Sequence, residues 1–249
     1  MTDKLLDAGW STTVATMAHG TADEAARAYE DYVNSLFEAS VEKQLPVDRA
    51  SQKALLAART AIFNKEVSKL AEQVYTGDVT IGQWEETMRR MIREMHSSVA
   101  AISKGGWDNM DYSDWGKLGA WVKKQYKYLH GFAEDIDANR ETISLGAIDS
   151  RARMYGEAAK GAAIMISTPV DILSQLPWLP KDGSTECLVN CKCLWLLSVT
   201  KVGRKTKTVR AVWRLSEAEH CVDCMDRSGH VVWISVPASM DVPLTIGGM

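Results

Sequence analysis

Residues 187–224 read CLVNCKCLWLLSVTKVGRKTKTVRAVWRLSEAEHCVDC and hold every cysteine of the chain. Cys187, Cys191 and Cys193 form one tight group, and Cys221 and Cys224, preceded by His220, form the other. The 186 residues before them contain none. Between the groups, Leu194 to Thr200 and Thr206 to Leu215 are strand-like runs flanking Lys201-Val-Gly-Arg-Lys, with Gly203 in the turn. That pattern is a β-hairpin signal. Folding it brings the chain before the first strand beside the chain after the second, so both cysteine groups meet at its open end.

Soft thiolates drawn in pairs from two knuckles suit a tetrahedral zinc ion. A lone hairpin is marginal in water, and a metal joining its feet would supply stability that so small a core cannot. The preferred ligands are Cys187, either Cys191 or Cys193, Cys221 and Cys224, with His220 in reserve. A reduced, metal-free cluster and a set of disulfides are the alternatives. The odd cysteine count and the absence of a recognisable signal peptide favour a reducing compartment.

Upstream the pattern changes to helices. A run from Thr21 carries Ala26, Tyr29, Val33 and Phe37 near helical spacing and ends before Pro46. A second helix is expected from near Asp48 to Thr76-Gly77, with Leu55, Ile62, Phe63, Val67, Leu70 and Val74 on one side. The third has the clearest stripe: Ile81, Trp84, Met88, Met91, Ile92, Met95, Val99 and Ile102. Thr80 is its N-cap and Gly105-Gly106 its stop. A loop, WDNMDYSDW, follows at 107–115. Leu118, Trp121, Val122, Leu129, Phe132 and Ile136 then mark a fourth helix, and a fifth spans about Ser144 to Ile166. Core packing accounts for these stripes. Trp107, Trp115 and Trp178 fall outside them and are either core residues or interface anchors.

The expected fold class is mainly α. A long-helix domain (1–168) leads through a linker (169–186) to a zinc-stapled Cys-rich β module (187–236) and an extended tail (237–249). Val231 to Val236 is a third short strand, and the tail needs something to lean on. A net charge of −3 gives no global reason to bind nucleic acid or an anionic membrane. The apolar run near Gly161 to Ile166 is too short to span a bilayer.

Catalytic motifs are missing from the sequence. A nucleobase deaminase needs His-x-Glu and then Pro-Cys-x-x-Cys; here Glu219 precedes His220 and no proline precedes Cys221. There is no His-Glu-x-x-His, Gly-x-Ser-x-Gly, Walker loop or Gly-x-Gly-x-x-Gly. His19, His96 and His130 lack matching ligand partners and are expected to be surface or hydrogen-bonded residues. Lys201, Arg204, Lys205, Lys207 and Arg210 surround the hairpin turn. A solvated tip is the plain explanation, and contact with phosphate or an acidic protein surface the functional one.

Several passages resemble the phage minor head (head morphogenesis) proteins. They are Gln125-Tyr-Lys-Tyr-Leu-His-Gly-Phe-Ala-Glu-Asp-Ile136, the helix with Arg151-Ala-Arg-Met-Tyr155, Gly183-Ser-Thr-Glu-Cys187-Leu-Val-Asn-Cys191-Lys-Cys193, and His220-Cys221-Val-Asp-Cys224. The likeness covers roughly residues 80–225, with the two cysteine elements in reversed order. It implies a non-enzymatic virion component of the head or portal region, assembled in the host cytoplasm. The implied partners are portal protein, major capsid protein and packaged DNA, with no membrane and no small-molecule substrate. The rival expectation is a zinc-containing nucleic-acid-binding protein that uses the basic hairpin.

Overall fold

A computed structural model describes residues 49–217 and 219–247. The helix expected from Thr21, and His19 with it, lie outside the described residues. The chain is mostly helical, with a small antiparallel sheet toward its C-terminus. Four long helices come first: α1 (Arg49–Thr76), α2 (Ile81–Lys104), α3 (Tyr112–Ala138) and α4 (Leu145–Ser167). No helix among the described residues is long and apolar enough to cross a membrane.

The helix ends follow local chemistry. The Thr80 hydroxyl accepts from the Gln83 backbone N–H while the Gln83 side chain accepts from the Thr80 N–H, a reciprocal capping box. Gly105 ends α2 in the left-handed region at φ 77°, where a side chain would be strained. Ser144 caps α4 through the Ala147 N–H.

The loop expected over 107–115 is shorter than its composition suggests. Trp107–Asn109 form a 3-10 turn and α3 already begins at Tyr112. Asp111 and Asp114 close a second capping box there. Asp114, nearly buried, also pairs with Lys104 at 2.8 Å and ties this start to the end of α2.

Most of the apolar stripe residues meet in one core containing Phe63, Val67, Trp84, Met88, Met95, Leu129, Phe132, Ile148 and Tyr155, while Leu118 and Val122 join a smaller satellite cluster with Met110 and Ile166. Trp84 meets Phe132 edge-on at 5.4 Å. Helix α4 is rich in Ala and Gly, so its neighbours approach closely. A Cβ at Gly161 would lie 2.8 Å from the Trp121 ring and 2.9 Å from the Lys181 carbonyl oxygen. Gly161→Val is therefore expected to cost about 1–3 kcal/mol in denaturant unfolding. An unchanged midpoint would contradict this packing.

Four strands, β1 (Leu194–Val202), β2 (Thr206–Arg214), β3 (Val231–Pro237) and β4 (Thr245–Gly247), form the sheet in the order β3-β2-β1-β4. Strands β1 and β2 form the expected hairpin, and β3 flanks β2. The described residues also include a four-residue helix, α5 (Val170–Leu173), and a six-residue one, α6 (Val222–Arg227). The tail departs from a wholly extended segment: Thr245–Gly247 form β4 and pair with Leu194–Leu196. It leans on its own β1 because that edge would otherwise expose unpaired backbone groups. Gly247 makes the fit possible, since a Cβ there would meet Pro180 at 2.7 Å.

One sheet face packs inward through Trp195, Leu197, Val209, Ala211, Trp213, Ile234, Val236 and Ile246. Residues 169–186 lie beneath it rather than spanning open solvent. Ile172 is fully buried, and Leu176, Trp178 and Leu179 pack on the same core. The far edge is held by Gln175, whose amide accepts from the Ser235 N–H at 3.0 Å and donates to the Ser235 carbonyl at 2.9 Å. Ile164 of α4 joins this second core and links it to the helical body.

Candidate metal centre

The hairpin brings the two cysteine groups together. Cys187 enters a 3-10 turn (Leu188–Asn190) that returns the chain at Cys191, and Cys193 stands immediately before β1. Cys221 is the N-cap of α6, and Cys224 sits in its first turn. The knuckles are also clasped by hydrogen bonds. The Glu186 N–H donates to the Asp223 carboxylate at 2.8 Å, and the Val222 N–H donates to the Glu186 carboxylate at 3.3 Å. Arg227 donates to the Ser184 hydroxyl and carbonyl at 2.9 and 2.7 Å.

The sulfurs of Cys187, Cys191 and Cys224 lie within 4.8 Å of one another and could hold a metal ion. Cys187 and Cys224 are 3.6 Å apart, and Cys191 and Cys224 3.8 Å. A tetrahedral ion with metal–sulfur bonds of about 2.3 Å places its sulfurs about 3.8 Å from each other, so these spacings fit one. A disulfide would need about 2.05 Å, and all five thiols are free. The disulfide alternative is thereby set aside.

Two further thiols border the trio. Cys221 stands at the N-cap of α6, three residues before Cys224, outside the trio. Cys193 lies 3.6 Å from the His220 Nδ1. The His220 Nε2 is 2.9 Å from the Ser216 carbonyl. Only an N–H can satisfy a carbonyl oxygen, so Nε2 carries the proton and Nδ1 turns a lone pair toward Cys193. A second group, Glu186, Cys221 and Asp223, also converges, but at the exposed rim.

Burial raises the Cys224 thiol far above its ordinary range, and the neighbouring sulfurs add to it. Burial and the Cys191 thiol push Cys193 up to about 11, and burial also raises Cys187. Cys221 is the exception: burial pushes it up, but backbone N–H groups of Cys224 and Cys187 outweigh this and the net direction is down. A metal ion bound at Cys187 and Cys224 would have to displace these thiol protons. Lys181 stands behind the cluster. It is nearly buried, and its Nζ donates to the Val189 carbonyl inside the first knuckle at 2.8 Å and faces Glu157 of α4 at 3.4 Å.

No family model, curated protein or solved structure matches this chain.

Of the basic residues read from the sequence, Lys201, Arg204 and Lys205 are exposed around the hairpin turn, while Lys207 and Arg210 are half-buried along β2. They sit toward the opposite end of the hairpin from the thiols. Sequence reasoning did not single out Lys181, Glu186 or Asp223. Contacts spanning up to 37 residues join them to the cluster, and no local pattern encodes that. Trp178 stacks on Trp195 and meets Trp213 edge-on in the sheet core, whereas Trp115 is 41% exposed and stacks on Trp107.

Proposed function

We propose that this chain is a non-enzymatic structural component of a phage head, a minor head protein whose sheet module is held by a structural zinc ion. Cys187, Cys191, Cys221 and Cys224 would supply four thiolates. Cys221 is favoured as the fourth because Cys221-Val-Asp-Cys224 places two thiols at one helix N-terminus, the spacing of a metal-binding knuckle. Cys193 and His220 would then form a hydrogen-bonded pair beside the ion, the thiol donating to Nδ1.

The observation that carries the reading is where the thiols lie. They gather where both knuckles, the foot of the hairpin and α4 converge, with the Leu188–Asn190 turn packed on α4. Four thiolates close a coordination sphere, which suits a staple rather than a reaction centre. Such a staple fixes the sheet on the helical body, so the chain can act as one rigid piece between larger partners. The likeness of residues 80–225 to minor head proteins supplies the partners: portal protein or the inner capsid wall, during assembly and DNA packaging or ejection.

The test is co-purification. The tagged protein, co-expressed with portal and major capsid proteins of its own phage, is expected to retain at least one of them and to appear at low copy number in purified heads. Its absence from heads together with failure to retain either protein would overturn the proposal.

A further inference from the structure

The face of the sheet turned away from the core has a composition unlike the rest of the chain. Residues 187–216 contain seven Lys and Arg and no Asp or Glu, in a protein whose net charge is −3. In the returning segment 231–247 the one carboxylate is Asp241. Among the described residues, Lys201, Arg204, Lys205, Lys207, Arg210 and Arg214 form no ion pair. Elsewhere the cations are often matched, as Arg151 is with Asp135 and Arg153 with Asp149.

Strand register shows how these groups are arranged. Side chains of directly paired residues share a face. Ser198, Arg210 and Trp233 form one row across β1, β2 and β3. Lys201, Thr208 and Ser235 form the next row toward the turn. These positions alternate with inward Val209, Ala211 and Ile234, so both rows face outward. Arg214 lies on the same face at the other end, opposite Leu194. The outward face thus combines guanidinium and ammonium groups, three hydroxyls and an indole, with an apolar row of Leu196, Val212 and Val231 between Arg210 and Arg214. Trp233 is 60% exposed, whereas Trp195 and Trp213 of the same sheet are fully buried. A tryptophan left this open beside an unpaired arginine is a stacking platform without its partner.

We infer that this outer face binds a single strand of nucleic acid, with Trp233 stacking on one base. Arg210, Lys201 and the Arg204–Lys205 tip take the phosphates, and Ser198, Thr208 and Ser235 offer hydrogen bonds to the backbone. Cations alone would suit any polyanion. The exposed indole favours unpaired bases, which present a ring face that a duplex keeps stacked. The surface stands on its own geometry and does not depend on the head-assembly reading.

The test is fluorescence anisotropy of the full chain with a labelled mixed-sequence single-stranded DNA 20-mer, the same sequence as duplex, and polyglutamate as competitor. The single strand is expected to bind best. The log of its affinity should fall with log salt at a slope of about −2 to −3, as three or four neutralised phosphates require. Trp233→Ala is expected to weaken single-strand binding about tenfold with the salt slope unchanged. Arg210→Glu should weaken it and reduce the slope. Both sites are outward-facing, so far-UV circular dichroism should match the parent protein. Three results would overturn the inference: no binding at low salt, duplex binding as tight as single-strand binding, or an unchanged affinity in Trp233→Ala. Displacement by polyglutamate at equal charge concentration would reassign the face to an acidic protein.

Discussion

Cys224→Ser is expected to strip the protein of stoichiometric metal and to melt the sheet module while the four long helices persist. Cys224 is fully buried and is the sulfur to which the others converge, at 3.6 Å from Cys187 and 3.8 Å from Cys191. A serine oxygen is a poor substitute for a thiolate on zinc and would stand buried among sulfurs. The cost is large because the hydrogen bonds that clasp the knuckles, Glu186 to Asp223 and Arg227 to Ser184, lie at the exposed rim, where water competes with them. Structural zinc contributes on the order of 10 kcal/mol to small domains, more than a short sheet gains from its own core. Two measurements check this. Metal per chain by mass spectrometry should fall from about one to near zero. The near-ultraviolet circular dichroism of the Trp178–Trp195–Trp213 cluster should collapse while the far-ultraviolet helical signal remains mostly intact. Cys193→Ser supplies the contrast: it should keep its metal, because Cys193 faces His220 in the proposed arrangement. Full metal content in Cys224→Ser would remove the staple from the account. Loss of metal in Cys193→Ser would move Cys193 into the ligand set in place of Cys221.

Much of this architecture is legible in the sequence. The stripe from Ile81 to Ile102, bounded by Thr80 and Gly105, gave α2 almost to the residue because caps and periodicity agree there. The hairpin was legible because two β-branched and aromatic runs flank a glycine-containing turn. It also brought the cysteines together, since register alone sets where the ends of a hairpin lie. What escaped was non-local. Thr245–Gly247 form a strand only because β1 offers them an edge, and three residues carry no pattern of their own. Residues 169–186 look like a linker by their prolines and glycine, yet Ile172 and Trp178 are held by a sheet that forms later in the chain. The outward row through Trp233 was available in principle. In Val-Val-Trp-Ile-Ser-Val, burying Ile234 and Val236 forces Trp233 to the other side. That step required knowing which face was covered.

Acid is expected to destabilise the helical body by way of His96, the second large effect. This histidine is fully buried in α2, and its Nδ1 lies 2.8 Å from the Ile92 carbonyl. Nδ1 therefore holds the proton of the neutral ring and Nε2 is left with a lone pair. Nε2 is buried and has no hydrogen-bond partner among the described residues. A second proton would create a charge with no water around it. Burial accordingly pulls the pKa from 6.5 down to about 4, only partly opposed by the bond to Ile92. The sign follows from proton counting. Above pH 6.5 the ring is neutral in both folded and unfolded chains, and the full stability is present. As the pH falls from 6.5 to 4 the unfolded chain takes up a proton that the folded one refuses, so stability drops. The drop amounts to about 3 kcal/mol by pH 4. Glu85, Asp149 and Glu157, whose carboxyls are all held below their ordinary range, add their own losses as they protonate. The histidine's share must therefore be read as a difference. Denaturant unfolding followed by the helical signal, at pH 7.5 and at pH 4.5, should show a steep loss for the parent protein. His96→Leu removes both the titrating ring and the orphaned nitrogen, so it should change stability little at pH 7.5 and lose about 2–3 kcal/mol less on acidification. Equal losses in the two proteins would mean that His96 is hydrated or paired in solution, and that the acid response of this bundle belongs to its carboxylates.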